Sequence, residues 1–253
     1  MASRRGKSAD RVSTWGLVLG ITGAVTIWLP GNSTLADQAD ELADGETLWE
    51  YCAFCHNADG LGQQRSDAPK LAGDQAWYTE RQLRYFRTRV RGYHPEDIPG
   101  LAMAVYATPL FNDDAIRNVA AYIESLPAEP ANPRPDRMRN RPRERPYQWD
   151  SQFASSVTPR EPDITIGEEL YQGCAVCHGE YAEGIRALNA PRIDNKQDWY
   201  LTRQLKYFMY GARGTQEEDV FGRQMADQLG LESDQDIADV VAYLMSISKG
   251  PMY

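Results

Sequence analysis

The chain of 253 residues predicts an all-α protein built as two tandem copies of one small helical domain. An internal repeat is the first reason. Laid on itself at an offset of 122 residues, the sequence aligns Gly45 with Gly167, Trp49 with Tyr171, Pro69 with Pro191, Trp77-Tyr78 with Trp199-Tyr200, and Arg81-Gln82-Leu83 with Arg203-Gln204-Leu205. The match runs on without insertion through Tyr85-Phe86 and Tyr207-Phe208, Arg91-Gly92 and Arg213-Gly214, and Gly100 and Gly222, to Met103 and Met225. Only then does the register slip by one, bringing Tyr122 onto Tyr243. Helical spacing is the second reason: Ile116, Val119, Ala120 and Ile123 recur three and four residues apart, as do Ile237, Val240, Val241 and Leu244, so each set lies on one helix face. The third is a short motif found once per copy, Cys52-Ala-Phe-Cys55-His56 and Cys174-Ala-Val-Cys177-His178, which together use all four cysteines of the chain.

From the N-terminus, Met1 to Ala36 reads as an export signal. Arg4, Arg5, Lys7 and Arg11 precede an apolar run from Trp15 to Leu29, and Thr34-Leu35-Ala36 offers a small-residue cleavage site, so the mature chain is expected to begin near Asp37. That run is short against the roughly 20 residues a spanning helix needs, which favours cleavage. A retained anchor is the alternative and would leave both domains on the same side of the membrane. Residues 37–126 form the first domain, with three helical signals: one entering the Cys-x-x-Cys-His motif, one from the Trp-Tyr pair through Arg-Gln-Leu, and one from Asp113 to Leu126. Asn112 caps the last of these, acids fill its first turn, and Pro127 stops it.

Residues 127–163 carry many prolines and no apolar periodicity, and read as an extended linker. From Arg134 to Pro146 they hold six arginines against Asp136 and Glu144, a net charge of +4. This stretch reads as a strap on the acidic surface of its own domains; docking to a membrane or an acidic partner is the functional alternative. Residues 164–253 repeat the first domain, closing on a helix from Asp234 to Ile247 that is capped by Ser233 and stopped by Gly250-Pro251. The formal charge is −9, and falls to −12 once the four basic residues and Asp10 of the signal are removed. Such an acidic chain is unsuited to nucleic acid and would steer a partner with a basic face toward it.

Two thiols one helical turn apart can add to the two vinyl groups of one porphyrin, and the histidine that follows lies close enough to ligate its iron. The motifs therefore predict two covalent haem c groups, one on Cys52 and Cys55 and one on Cys174 and Cys177, with His56 and His178 as iron ligands. An all-cysteine zinc site, a redox dithiol or two disulfides would also use paired cysteines, but none explains the matched histidines. Domains of about 85 residues bury little core of their own, so the porphyrin is expected to supply part of it and the haem-free protein to fold poorly. No Ser/His/Asp set, phosphate loop or spare histidine cluster points to hydrolytic or phosphoryl chemistry.

Throughout both repeats these motifs resemble class I cytochromes c. The resemblance implies a methionine opposite each histidine. Met103 lies 47 residues after His56 and Met225 lies 47 after His178, and such a pair raises the reduction potential and leaves no open position on the iron. His94 is the only other histidine and an alternative to Met103, but beside Pro95, Glu96 and Asp97 it reads as a solvated loop residue. Pro69 and Pro191, each 13 residues beyond its histidine, are implied to offer a carbonyl to the histidine Nδ1–H; a plain turn proline is the other reading. Arg91 and Arg213 are either donors to haem propionates or surface arginines.

The tandem arrangement, the Arg-Gln-Leu helix and the stretch Ser233-Asp-Gln-Asp-Ile-Ala-Asp-Val-Val-Ala-Tyr243 resemble the dihaem cytochrome c4 family, over about residues 40–126 and 164–248. That resemblance implies two tandem class I cytochrome c domains, each wrapped around one covalent haem c. It also implies single-electron transfer in the bacterial periplasm, between membrane respiratory complexes or dehydrogenases and a redox-protein acceptor such as a terminal oxidase. The competing readings are a haem enzyme with one open iron, such as a peroxidase or a sulfur-compound dehydrogenase, and a permanent cytochrome subunit of a larger redox complex. The long Arg/Pro linker and the register slip after Met103 depart from the family pattern and put its domain packing in question.

Overall fold

A computed structural model describes residues 35–110, 112–128 and 160–248. Most of the expected export signal and the whole arginine-rich stretch 134–146 lie outside the described residues. Domain 1 consists of α1 (Leu35–His56), α2 (Ala76–Arg87), α3 (Ile98–Ala107) and α4 (Asp113–Ser125). Domain 2 repeats them as α5 (Ile164–His178), α6 (Asp198–Met209), α7 (Val220–Asp227) and α8 (Asp234–Ile247). A 3-10 turn follows the first helix of each, at Gln64–Ser66 and Arg186–Leu188. Among the described residues there is no named strand, and no helix is long and apolar enough to cross a membrane.

First and last helices cross at the repeated glycines. A Cβ on Gly45 would collide with the carbonyl oxygen of Asn118 in α4, and one on Gly167 with that of Asp239 in α8, so only glycine lets the backbones approach this closely. Behind the crossing, Trp49 packs with Ile116, Val119 and Ile123, and Tyr171 with Ile237, Val240 and Leu244, the apolar faces expected from sequence. The expected caps form: the Asn112 side chain accepts from Ala115 N at 2.7 Å, and Ser233 and Asp236 make a capping box. α4 ends at Ser125, one residue short of the expected Leu126.

Each domain has four helices rather than the three the sequence signals, and the additional pair, α3 and α7, carries Met103 and Met225. The segment Ile98-Pro-Gly-Leu-Ala-Met-Ala-Val-Tyr-Ala107 is apolar all round, so it shows no helical stripe, and its Pro-Gly resembles a turn. Its start is fixed by Asp97, whose side chain accepts from Gly100 N at 2.8 Å, as Asp219 does from Gly222 N at 2.9 Å.

The domains meet across a pseudo-two-fold axis, written in pairs of hydrogen bonds that the 122-residue offset turns into one another. Arg81 donates to Asn189 through both terminal nitrogens, at 3.3 and 2.9 Å, and Arg203 donates to Asp67 at 3.1 and 2.9 Å. Lys70 N bonds Gln197 Oε1 at 3.0 Å, and Arg192 N bonds Gln75 Oε1 at 3.1 Å. On the axis itself each position meets its own copy. The Asp74 carboxylate pairs with Lys196 at 2.5 and 2.6 Å, and the Tyr93 hydroxyl hydrogen-bonds that of Thr215. The departures in linker and register have therefore not prevented a reciprocal interface.

Candidate functional site

α1 and α5 each carry the paired cysteines in their last turns and end on the histidine, so the motif geometry is that of one helix end. Both imidazoles are buried. Each Nδ1 lies 2.8 Å from a proline carbonyl oxygen, His56 from Pro69 and His178 from Pro191, and donates its proton there. This tautomer presents the Nε2 lone pair on the other side of the ring, and Nε2 of His56 is buried with no hydrogen-bond partner. Burial pushes the pKa of His56 down to about 4, against the opposing pull of Pro69, and likewise lowers that of His178. Both rings are neutral near pH 7, the state that binds a metal.

A cavity of about 690 Å³ lies against these groups. In domain 1 its wall includes Cys52, Cys55, His56, Pro69 and Met103; in domain 2 it includes Cys174, Cys177, His178, Pro191 and Met225. The four cysteines are half-buried free thiols. Burial raises the pKa of Cys52 to about 11 and also raises that of Cys174, so both stay protonated. Met103 bridges two small core clusters of domain 1, and Met225 packs against the single larger cluster that includes Leu229 and Leu244. Thiols at helical spacing, a buried neutral imidazole and a thioether in the wall of one apolar cavity together fit a covalently held haem in each domain, and in domain 1 the imidazole nitrogen facing away from Pro69 has no partner of its own. His94 stands apart from that wall, in the loop before α3, where its Nδ1 accepts from Glu96 N at 3.2 Å.

Arg91 and Arg213 are not surface arginines; they are only 7% and 8% exposed. Gly92 and Gly214, both at positive φ, turn the chain directly after them, with no room for a Cβ beside the carbonyls of Gly100 and Gly222. The two guanidinium groups close a ring with two glutamines. Arg91 donates to Gln82 Oε1 at 2.8 Å and Gln204 Oε1 at 2.9 Å, and Arg213 to Gln204 Oε1 at 2.7 Å and Gln82 Oε1 at 3.1 Å. Tyr200 and Tyr78 hydroxyls accept one further bond each, at 3.2 and 3.3 Å. The two glutamine acceptors are neutral, Nε of each arginine is buried without a partner, and both arginines line the cavity, so each keeps a donor for an anion. The sequence repeat had marked Gln82 and Gln204 within Arg-Gln-Leu and Tyr78 and Tyr200 within Trp-Tyr, but gave no sign that they meet across the domain boundary.

Comparisons with known proteins follow the same division. The family model for cytochrome c matches residues 42–127 and 164–248. A cytochrome c4 of Azotobacter vinelandii is 25% identical over 242 residues, covering 91% of this chain and 95% of that protein. A thiosulfate dehydrogenase electron acceptor of Stutzerimonas stutzeri (strain A1501) is 29% identical over 199 residues, covering 74% and 82%. Among solved structures, reduced recombinant cytochrome c4 from Pseudomonas stutzeri superposes with a TM-score of 0.54 at 21% identity, over 81% of this chain and 97% of that one. Sequence model, relatives and fold thus agree domain by domain: this chain belongs to the cytochrome c family, among the dihaem cytochrome c4-like proteins, and carries two covalently attached haem c groups.

Proposed function

We propose that this cytochrome c4-like electron carrier works in the bacterial periplasm, taking one electron per haem from a membrane respiratory complex or a dehydrogenase and passing it to an acceptor such as a terminal oxidase. The observation that carries this reading is the pairing, in each domain, of a buried neutral histidine with a methionine in the wall of the same cavity. So placed, His56 with Met103 and His178 with Met225 would hold the iron and leave no position on it for substrate. Haem c supplies a one-electron iron couple when bound; the chain holds it, shields it and sets its potential. Cys52, Cys55, Cys174 and Cys177 would hold the porphyrins, Pro69 and Pro191 orient the histidines, and Arg91 and Arg213 would receive propionates. Residues 1–36 serve as the export signal, with domains at 37–126 and 164–253 joined by the linker 127–163.

Partners are redox proteins or membrane complexes rather than nucleic acid. A relative whose name is thiosulfate dehydrogenase electron acceptor supports a dehydrogenase as donor. One observation favours a second reading, in which the protein is held permanently in a larger complex. Tyr51 and Tyr106, which line the cavity in domain 1, and their sequence neighbours Phe54 and Val105 are all more than half exposed. Copurification that survives high salt would favour the permanent subunit, and a monodisperse free protein the shuttle. A visible spectrum of the purified protein tests the carrier itself. Two haems per chain, a methionine-to-Fe(III) band of intensity for two, and no carbon monoxide binding after reduction are expected; carbon monoxide binding at one haem would hand the lead to an enzyme.

A further inference from the structure

The pseudo-two-fold axis allows each charge at the interface to be compared with its own copy, and one cation has no hydrogen-bonded counterion of its own. Near the axis stand three cations, Lys70, Lys196 and Arg192, and two carboxylates, Asp74 and Asp194. Asp74 is taken by Lys196, which also donates to the Lys70 carbonyl oxygen at 2.7 Å. Asp194 is taken by Arg192 in a bidentate pair at 2.8 and 2.8 Å. Arg192 is the copy of Lys70, but the copy of Asp194 in domain 1 is Ala72. The Lys70 side chain is accordingly buried, at 2% exposure, with no partner for its Nζ. Burial and the neighbouring Lys196 lower its pKa to about 8, which still leaves it charged at pH 7. The peptide bond before Lys70 is the one whose carbonyl, on Pro69, receives the His56 proton.

We infer that Lys70 is a positioning charge that separates the two haems in potential: its unpaired buried ammonium raises the reduction potential of the haem in domain 1, while in domain 2 the Arg192–Asp194 pair cancels the same effect. The physical reason is that ferric haem carries one more positive charge than ferrous haem, and a cation buried beside it disfavours the oxidised state with little screening by water or salt. The inference rests on the carrier reading and its ligand assignment.

The test is a potentiometric titration of the holo-protein at pH 7, followed in the visible spectrum, with the domain 1 step identified as the one that falls in Met103→His. Lys70→Met is expected to lower that step more than the other. Asp194→Asn, which strips the counterion from Arg192 on a partly exposed site, is expected to raise the domain 2 step more than the other, and keeps the question answerable if the lysine variant folds poorly. No shift in either variant, or equal shifts of both steps, would overturn the inference. Haem content and the methionine band are read on the same samples. A wild-type protein with fewer than two haems, or one that binds carbon monoxide, would count against the carrier reading instead.

Discussion

Gln82 and Gln204 each accept from two guanidinium groups through a single amide oxygen, so one neutral atom satisfies donors from both domains. Hydrogen bonds to buried charged groups contribute roughly 1.5–3 kcal/mol apiece, and an orphaned buried donor costs more than the bond was worth. Gln82→Ala should therefore lower the unfolding free energy of the holo-protein by about 3 kcal/mol in a denaturant titration, while Gln82→Glu, which places a carboxylate between two cations, should lose far less. Cysteines and histidines were legible from sequence because their chemistry is local to one helical turn; the proline partners came from the class I cytochrome c resemblance, and the turn-proline alternative stood until the 2.8 Å contacts appeared. The roles of Gln82, Gln204, Tyr78 and Tyr200 were not, since the bonds that join the two domains through them come from arginines more than a hundred residues away. For Arg91 and Arg213 the residue type was compatible with both a propionate and a surface role, and only burial removed the second.

At the scale of elements, the helices that carry the methionines are the ones the sequence reading missed: α7 has a polar side but spans only 8 residues, little more than two turns. α3 contains no charged residue and so has no polar face to define a stripe; its only local mark is the Asp97 cap. Asp97→Ala should cost about 1 kcal/mol, as cap losses do. Its distinguishing effect is a weakened methionine band, because the helix start that positions Met103 is freed. Ser233→Ala at the start of α8 should cost a similar amount and leave that band unchanged, since α8 holds no ligand. The paired visible spectra and thermal melts separate these outcomes. Gly45→Ala is expected to be harsher: the new methyl meets the Asn118 backbone, which cannot swing aside, and overpacking of this kind costs roughly 1–3 kcal/mol or prevents stable haem incorporation. The terminal helices, by contrast, were readable nearly to the residue, because an apolar stripe, an N-cap and a stop signal all agreed there.

Across the whole molecule, two small cores and a polar interface surround one cavity, which is why haem-free chain should give no cooperative thermal transition near that of the holo form. The interface depends on a buried ion pair whose members are 3% and 4% exposed. Lys196→Met strands the Asp74 carboxylate and should cost about 3–5 kcal/mol; combining it with Asp74→Leu should recover much of that, a double-mutant cycle measurable by denaturation. The repeat made the presence of two alike domains plain, but equal sequences facing each other say nothing about which positions fall on the axis. Those positions record what duplication made available. In a dimer of identical chains a residue on the two-fold must face its own kind, aspartate against aspartate and lysine against lysine. Here Asp74 faces Lys196 and Tyr93 faces Thr215, pairings open only to two copies free to mutate apart. Two first domains from different molecules would bring carboxylate onto carboxylate, and two second domains ammonium onto ammonium. Each half is thus matched to the other and repels its own duplicate, which guards the chain against swapping like domains with its neighbours.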